Sequence, residues 1–149
     1  MAEKRTEVQK FRKEIAPVAY TVLKGRLLAI DPGSNILGWA LFDKGKLIES
    51  GAIAAHPKNK PHKRIISIMH DLKEATAKAC DVLCVEQMFK FNPSLIWSVG
   101  AVIEAKQPEL FVEIPTRIWQ AKLPNDYTKS DERDAIEIGK ALIYHCGRL

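Results

Sequence analysis

Apolar residues along this chain follow two different periods. Arg26-Leu27-Leu28-Ala29-Ile30-Asp31 is a short continuous apolar run halted by Pro32-Gly33-Ser34, the pattern of a strand buried on both faces. Residues 36–43 (Ile36-Leu37-Gly38-Trp39-Ala40-Leu41-Phe42-Asp43) and 46–55 come next, and Lys44-Gly45 between them predicts a hairpin. After a polar, proline-punctuated loop at 56–61 the period changes to that of a helix. Ile65, Ile68, Met69, Leu72, Ala75 and Ala79 recur on one face there, with Lys63, Arg64, Lys73 and Lys78 assigned to the rest of its surface. Asp81-Val82-Leu83-Cys84-Val85-Glu86 reads as a further strand, 81–86. Asn92 as N-cap and Pro93 as first helical residue open a helix to about 106, whose apolar face is Leu95, Ile96, Val99, Val102 and Ile103. Strand 109–114 stops at Pro115, a short helix spans 116–122, and the last helix covers 129–147. Upstream, residues 3–15 form a polar helix with few apolar anchors, ended by Pro17.

The order β-β-β-α-β-α-β-α predicts an α/β fold: a mixed five-stranded sheet, hairpin first and crossovers after, with helices on both faces. The 149 residues suffice for one domain with a real core, since ~150 residues bury ~70% of their unfolded surface. The division expected is a basic helical arm at 1–22 and the domain proper at 23–149. No apolar stretch reaches the ~20 residues of a membrane span, and no signal-peptide core is present. Cys80, Cys84 and Cys146 are odd in number, so free thiols in a reducing, cytoplasmic setting are expected. A zinc site from Cys80, Cys84, His145 and Cys146 is disfavoured because Cys84 lies inside an apolar strand. Of the net charge of +5, residues 1–26 carry +4. Such an arm suits a polyanion, or is a solvated helix that aids solubility.

Acidic residues supply the candidate chemistry. Asp31 and Glu86 each end an apolar strand, where an unpaired carboxylate costs several kcal/mol, of order ~3, to desolvate. With right-handed crossovers the first and fourth strands lie side by side and parallel, so both acids emerge at the edge where open α/β sheets bind ligands. Asp131 and Asp134, three apart, share a helical face with Ile138, Ala141 and Leu142 and so look toward the sheet. Four converging carboxylates repel one another unless neutralised. Hard oxygen ligands without histidine suit Mg²⁺, or Mn²⁺ as a substitute, and two ions ~3.5–4 Å apart suit phosphoryl transfer. Each acid also has a structural reading: Asp-Pro-Gly as a turn, helix-start acids as dipole partners, Thr128-x-x-Asp131 as a capping box. None of these explains the convergence.

Leu28-Ala29-Ile30-Asp31-Pro32-Gly33-Ser34 with Gly38 resembles the first motif of the RuvC Holliday-junction resolvases. Val85-Glu86-Gln87-Met88-Phe89 is similar to their second, and Lys129-Ser130-Asp131-Glu132-Arg133-Asp134-Ala135 through His145-Cys146 to their third. The resemblance covers residues 26–146. It implies a ribonuclease H-like fold, with Asp31, Glu86, Asp131 and Asp134 as catalytic, Mg²⁺-binding acids. It further implies hydrolysis of four-way or other branched DNA, and Phe89 stacking on a base at the strand exchange. In-line attack would leave 5′-phosphate and 3′-hydroxyl ends, and symmetric cleavage requires a homodimer, with helix 93–106 as its candidate face. The shorter stretch before the last helix and the extra basic helix depart from the cellular enzymes toward bacteriophage or divergent members, which implies a bacterial or phage-infected cell. Phe89, Lys90, Arg117 and Lys129 are the candidate DNA contacts, with further phosphate contacts from Lys58, Lys60, Lys63, Arg64 and Lys122. Phe91 is expected inward, Trp39 in the core, and Trp97 and Trp119 in either core or dimer interface. Rival readings are a nuclease of the same fold acting on RNA or flaps, and a catalytically silent nucleic-acid-binding module. A nucleotide-binding fold of the actin and sugar-kinase type needs two such domains, more than this length supplies.

Overall fold

The computed structural model describes residues 2–33, 35–55, 57, 59–87 and 92–149, with side chains from Glu7 onward. Helix α1 (Ala2–Ile15), a 3-10 turn (Ala16–Val18) and α2 (Ala19–Lys24) precede the sheet. Strands β1 (Arg26–Asp31), β2 (Ile36–Asp43) and β3 (Lys46–Ala54) follow, then α3 (Pro61–Ala75), β4 (Val82–Glu86), α4 (Pro93–Lys106), β5 (Leu110–Ile114), α5 (Thr116–Gln120) and α6 (Asp131–Cys146). One five-stranded sheet runs in the order β3-β2-β1-β4-β5. β1 is antiparallel to β2 and parallel to β4, and β4 is parallel to β5.

The sequence pattern of β1 accounts for its central place. Leu27 and Ala29 pack with α1, α2, α5 and α6 on one face, while Leu28 and Ile30 pack with α3 and α4 on the other. Lys44 and Gly45 turn the β2–β3 hairpin with φ of +52° and +80°, the left-handed geometry that two-residue hairpin turns demand. Helix α6 lies close against the sheet, and two glycines make room for it. A Cβ on Gly38 would sit 1.8 Å from the Asp131 carbonyl oxygen, and one on Gly139 would sit 2.1 Å from the Phe42 ring. The start of α6, with its acids, is thereby brought down onto β2.

Several expectations need correction. The arm drawn at 1–22 is not packed as an appendage: Phe11, Ile15, Ala19 and Val22 belong to the same buried cluster as Ala135, Ile138 and Leu142 of α6. Arg12 Nε also donates to His145 Nδ1 at 3.2 Å. Burial, then the Arg12 and Lys122 charges, push His145 down to about 4, so the ring accepts that bond as a neutral group. Helix α3 stops at Ala75 rather than Ala79, and Lys106 Nζ donates to the Thr76 and Lys78 carbonyls just beyond it, at 2.5 and 3.1 Å. The capping box at Thr128 does not form; Ser130 is the N-cap of α6, its hydroxyl accepting from Arg133 N at 3.0 Å. Asn92 caps α4 as expected. Trp39 and the three free cysteines are buried. Among the described residues, no helix is long and apolar enough to cross a membrane.

Candidate active site

Parallel pairing sets Ile30 beside Val85, so Asp31 and Glu86, one residue further along each strand, end neighbouring strands on the same edge. The first turn of α6 comes down beside them. Asp131 Oδ1 lies 3.1 Å from the position a Cβ would take on Gly33, the turn glycine that follows Asp31. Asp31, Glu86, Asp131 and Asp134 line one open cleft of ≈ 430 Å³, with Gly33, Thr116, Trp119, Gln120, Leu123, Tyr127 and Lys129 as the other walls. Glu132 does not join them, because its carboxylate accepts from Ser50 Oγ of β3 at 2.6 Å.

The electrostatics of the cleft are those of crowded acids. Asp31 is pushed from 3.8 up to about 7, first by burial and then by the charges of Asp131, Asp134 and Glu86, against a 3.4 Å bond from Gly33 N that pulls the other way. Among the described residues no lysine or arginine forms an ion pair with any of the four. An all-oxygen donor set, partly buried and lacking a positive partner, fits a hard divalent cation. Among the described residues, the group whose ligand atoms all lie within 4.8 Å of one another is His70, Asp71 and Glu74 on α3, not the cleft acids.

Two residues that sequence reasoning did not assign to this cleft complete it. Trp119, 3% exposed, donates from Nε1 to Glu86 Oε2 at 2.7 Å. Tyr127 donates its hydroxyl to Asp134 Oδ1, and burial together with that bond raises its phenol to about 12, so it stays a neutral donor. Of the candidate DNA contacts, Lys129 is exposed and lines the cleft. Arg117 lies outside the cleft, exposed and 3.5 Å from Glu7 of α1. Lys60 and Lys63 are exposed on the α3 side, and Lys122 covers the Tyr144 ring at 4.1 Å. Phe89 and Lys90, with Lys58 and Phe91, lie outside the described residues.

Arg64 is a clear correction. It is fully buried, not a surface phosphate contact: Nε donates to Ser98 Oγ of α4 at 2.9 Å and Nη2 to the Gly33 carbonyl at 3.1 Å. The signal was present, since Arg64, Ile68 and Leu72 are spaced by four and form the buried stripe of α3.

With the cleft and sheet order in place, the architecture can be set against solved proteins. Thermus thermophilus RuvC superposes with a TM-score of 0.62 at 16% identity, covering 83% of this chain and 95% of that one. The chain has the RuvC fold, which is ribonuclease H-like. T. thermophilus RuvC in complex with a Holliday junction substrate gives a TM-score of 0.61 at 16% identity, over 83% and 94% of the two chains. The fowlpox virus Holliday junction resolvase gives 0.47 at 19% identity, over 83% and 99%. No sequence model of a protein family matches the chain, and no curated protein matches it.

Proposed function

We propose that this protein is a divalent-cation-dependent endonuclease that cuts branched DNA, four-way junctions above all, as a homodimer. The observation that carries this reading is the cleft in which carboxylates from β1, β4 and α6 converge with no ion pair to a lysine or arginine among the described residues. Asp31, Glu86, Asp131 and Asp134 would hold Mg²⁺, with Mn²⁺ as a substitute. Bound there, such ions supply an activated water at neutral pH and stabilise charge on the leaving 3′-oxygen, giving 5′-phosphate and 3′-hydroxyl ends.

The chain's own groups do the rest. Burial, and then the charges of the other three acids, favour the protonated form of Asp31, which a bound cation would reverse. The glycines at 33 and 38 lack the Cβ that would meet Asp131 at the start of α6. Lys129 on the cleft wall and Arg117 outside it offer phosphate contacts. Phe89, following Glu86 by three residues, would stack on an unpaired base, a contact worth ~1–3 kcal/mol.

The junction as substrate is supported by the shared fold with a RuvC solved on a Holliday junction substrate. Symmetric cutting needs two sites. Ile96, Gly100 and Ile103 lie exposed on α4 at one-face spacing, which supports that helix as the contact between copies. A synthetic four-way junction with both nicks mapped is the test. Paired, Mg²⁺-dependent nicks are expected, lost in Asp31→Ala while junction binding persists. Faster cutting of flap, duplex or RNA–DNA hybrid than of the junction would replace the substrate. A strict monomer on and off DNA would remove the dimer.

A further inference from the structure

The connection from β5 to α6 sets two uncharged hydrogen-bond donors against two of the four cleft acids. Trp119, on α5, points its one polar atom at Glu86 Oε2. Tyr127, in the turn before α6, engages Asp134 Oδ1. The other two acids are held differently. Among the described residues, Asp31 has only the long backbone contact from Gly33 N, and Asp131 has no side-chain donor.

An indole N–H aimed at an acid is not an automatic consequence of burial in this fold. Trp39 is 4% exposed, and its Nε1 has no hydrogen-bond partner among the described residues. The chemistry of the two donors also matters. A lysine or arginine in either place would neutralise the carboxylate and compete with a cation. An indole or a phenol fixes one oxygen while leaving the negative charge available. Trp119 is buried in the same cluster as Ile114, Ile118 and the core stripe of α6.

We infer that Trp119 and Tyr127 are positioning residues, which hold Glu86 and Asp134 in the orientation that binds the divalent cation. The inference rests on the reading that the four acids form a cation site. The segment at 115–130 then supplies, within a short span, both outer partners of the site. Freed of its donor, either carboxylate rotates, and the cation must order it on binding.

Trp119→Phe and Tyr127→Phe each remove one donor and keep a ring. Mn²⁺ alone is titrated into the unaltered protein and both variants, with free Mn²⁺ read by electron paramagnetic resonance. Melting is recorded without cation, and junction cleavage is followed against Mg²⁺ concentration. Each variant is expected to raise the Mn²⁺ half-saturation concentration about 10–100-fold. Melting without cation should fall, more for Trp119→Phe, which also leaves a cavity, than for Tyr127→Phe, while KM for the junction stays unchanged and activity recovers as Mg²⁺ is raised. A folded variant whose Mn²⁺ half-saturation stays within twofold of the unaltered protein overturns the assignment of that residue. If Trp119→Phe fails to fold, Tyr127→Phe, on a half-exposed turn, decides. Failure of the unaltered protein to bind Mn²⁺ would instead remove the cation site itself, so the two failures are told apart.

Discussion

Replacing Asp31 by Asn should stabilise the cation-free protein while destroying its response to Mg²⁺. The Asp31 carboxyl moves from 3.8 in the unfolded chain to about 7 in the fold, because burial and then three neighbouring acids disfavour its charge. At ~1.36 kcal/mol per unit, that shift has a ceiling of ~4 kcal/mol. Partial exposure of the side chain and residual structure in the unfolded chain lower the expected effect to about 1–3 kcal/mol. The sign follows from proton counting. Between pH 4 and 7 the folded state keeps a proton that the unfolded state has released, so this group's contribution to stability falls as pH rises through that window. Asn has no such proton. Urea unfolding in EDTA, followed by circular dichroism, should show Asp31→Asn matching the unaltered protein near pH 4 and exceeding it by about 1–3 kcal/mol above pH 7. Mg²⁺ at 100 times its dissociation constant should add ~2.7 kcal/mol to the unaltered protein and nothing comparable to the variant. A variant less stable than the unaltered protein at pH 8 in EDTA, or a difference independent of pH, would refute the electrostatic account of this cleft.

Three further substitutions test how the fold holds the site, with one glycine as a control. Gly38→Ala puts a methyl 1.8 Å from the Asp131 carbonyl, so it should cost more than ~2 kcal/mol in urea and lose cleavage; Gly100→Ala, with nothing within 4 Å, should stabilise the monomer by ~0.5–1 kcal/mol. Arg64→Met leaves the Ser98 hydroxyl and the Gly33 carbonyl without their donor, and denaturant melts should show a loss of about 2–4 kcal/mol. Ser130→Ala removes the cap of α6 and should cost ~1 kcal/mol by the same measurement.

The strands and their pairing were legible because strand periods and crossover handedness leave little freedom. Once β1 and β4 are parallel neighbours, Asp31 and Glu86 must end side by side, and the observed register puts them there. Asp134 was legible because it shares a stripe with Ile138, Ala141 and Leu142, all buried. What escaped were residues whose chemistry points one way and whose packing points another. Arg64 reads as a surface cation by type, although its spacing to Ile68 and Leu72 marked the buried face. Helix α1 reads as polar by composition, yet Phe11, Ile15, Ala19 and Val22 form a thin apolar line that continues across the turn at Pro17. The Trp119–Glu86 bond had no sequence signal, since it joins residues 33 positions apart through the placement of a five-residue helix. Ser130 rather than Thr128 caps α6 because the helix begins at Asp131, two residues later than its pattern implied.

The proposed function stands on acids from three separate elements gathering divalent cations in one cleft. Anomalous diffraction from a crystal of this protein soaked in Mn²⁺ tests it most directly. Strong peaks are expected between Asp31, Glu86, Asp131 and Asp134. Mn²⁺ ordered only elsewhere, as at His70, Asp71 and Glu74 on α3, would contradict it.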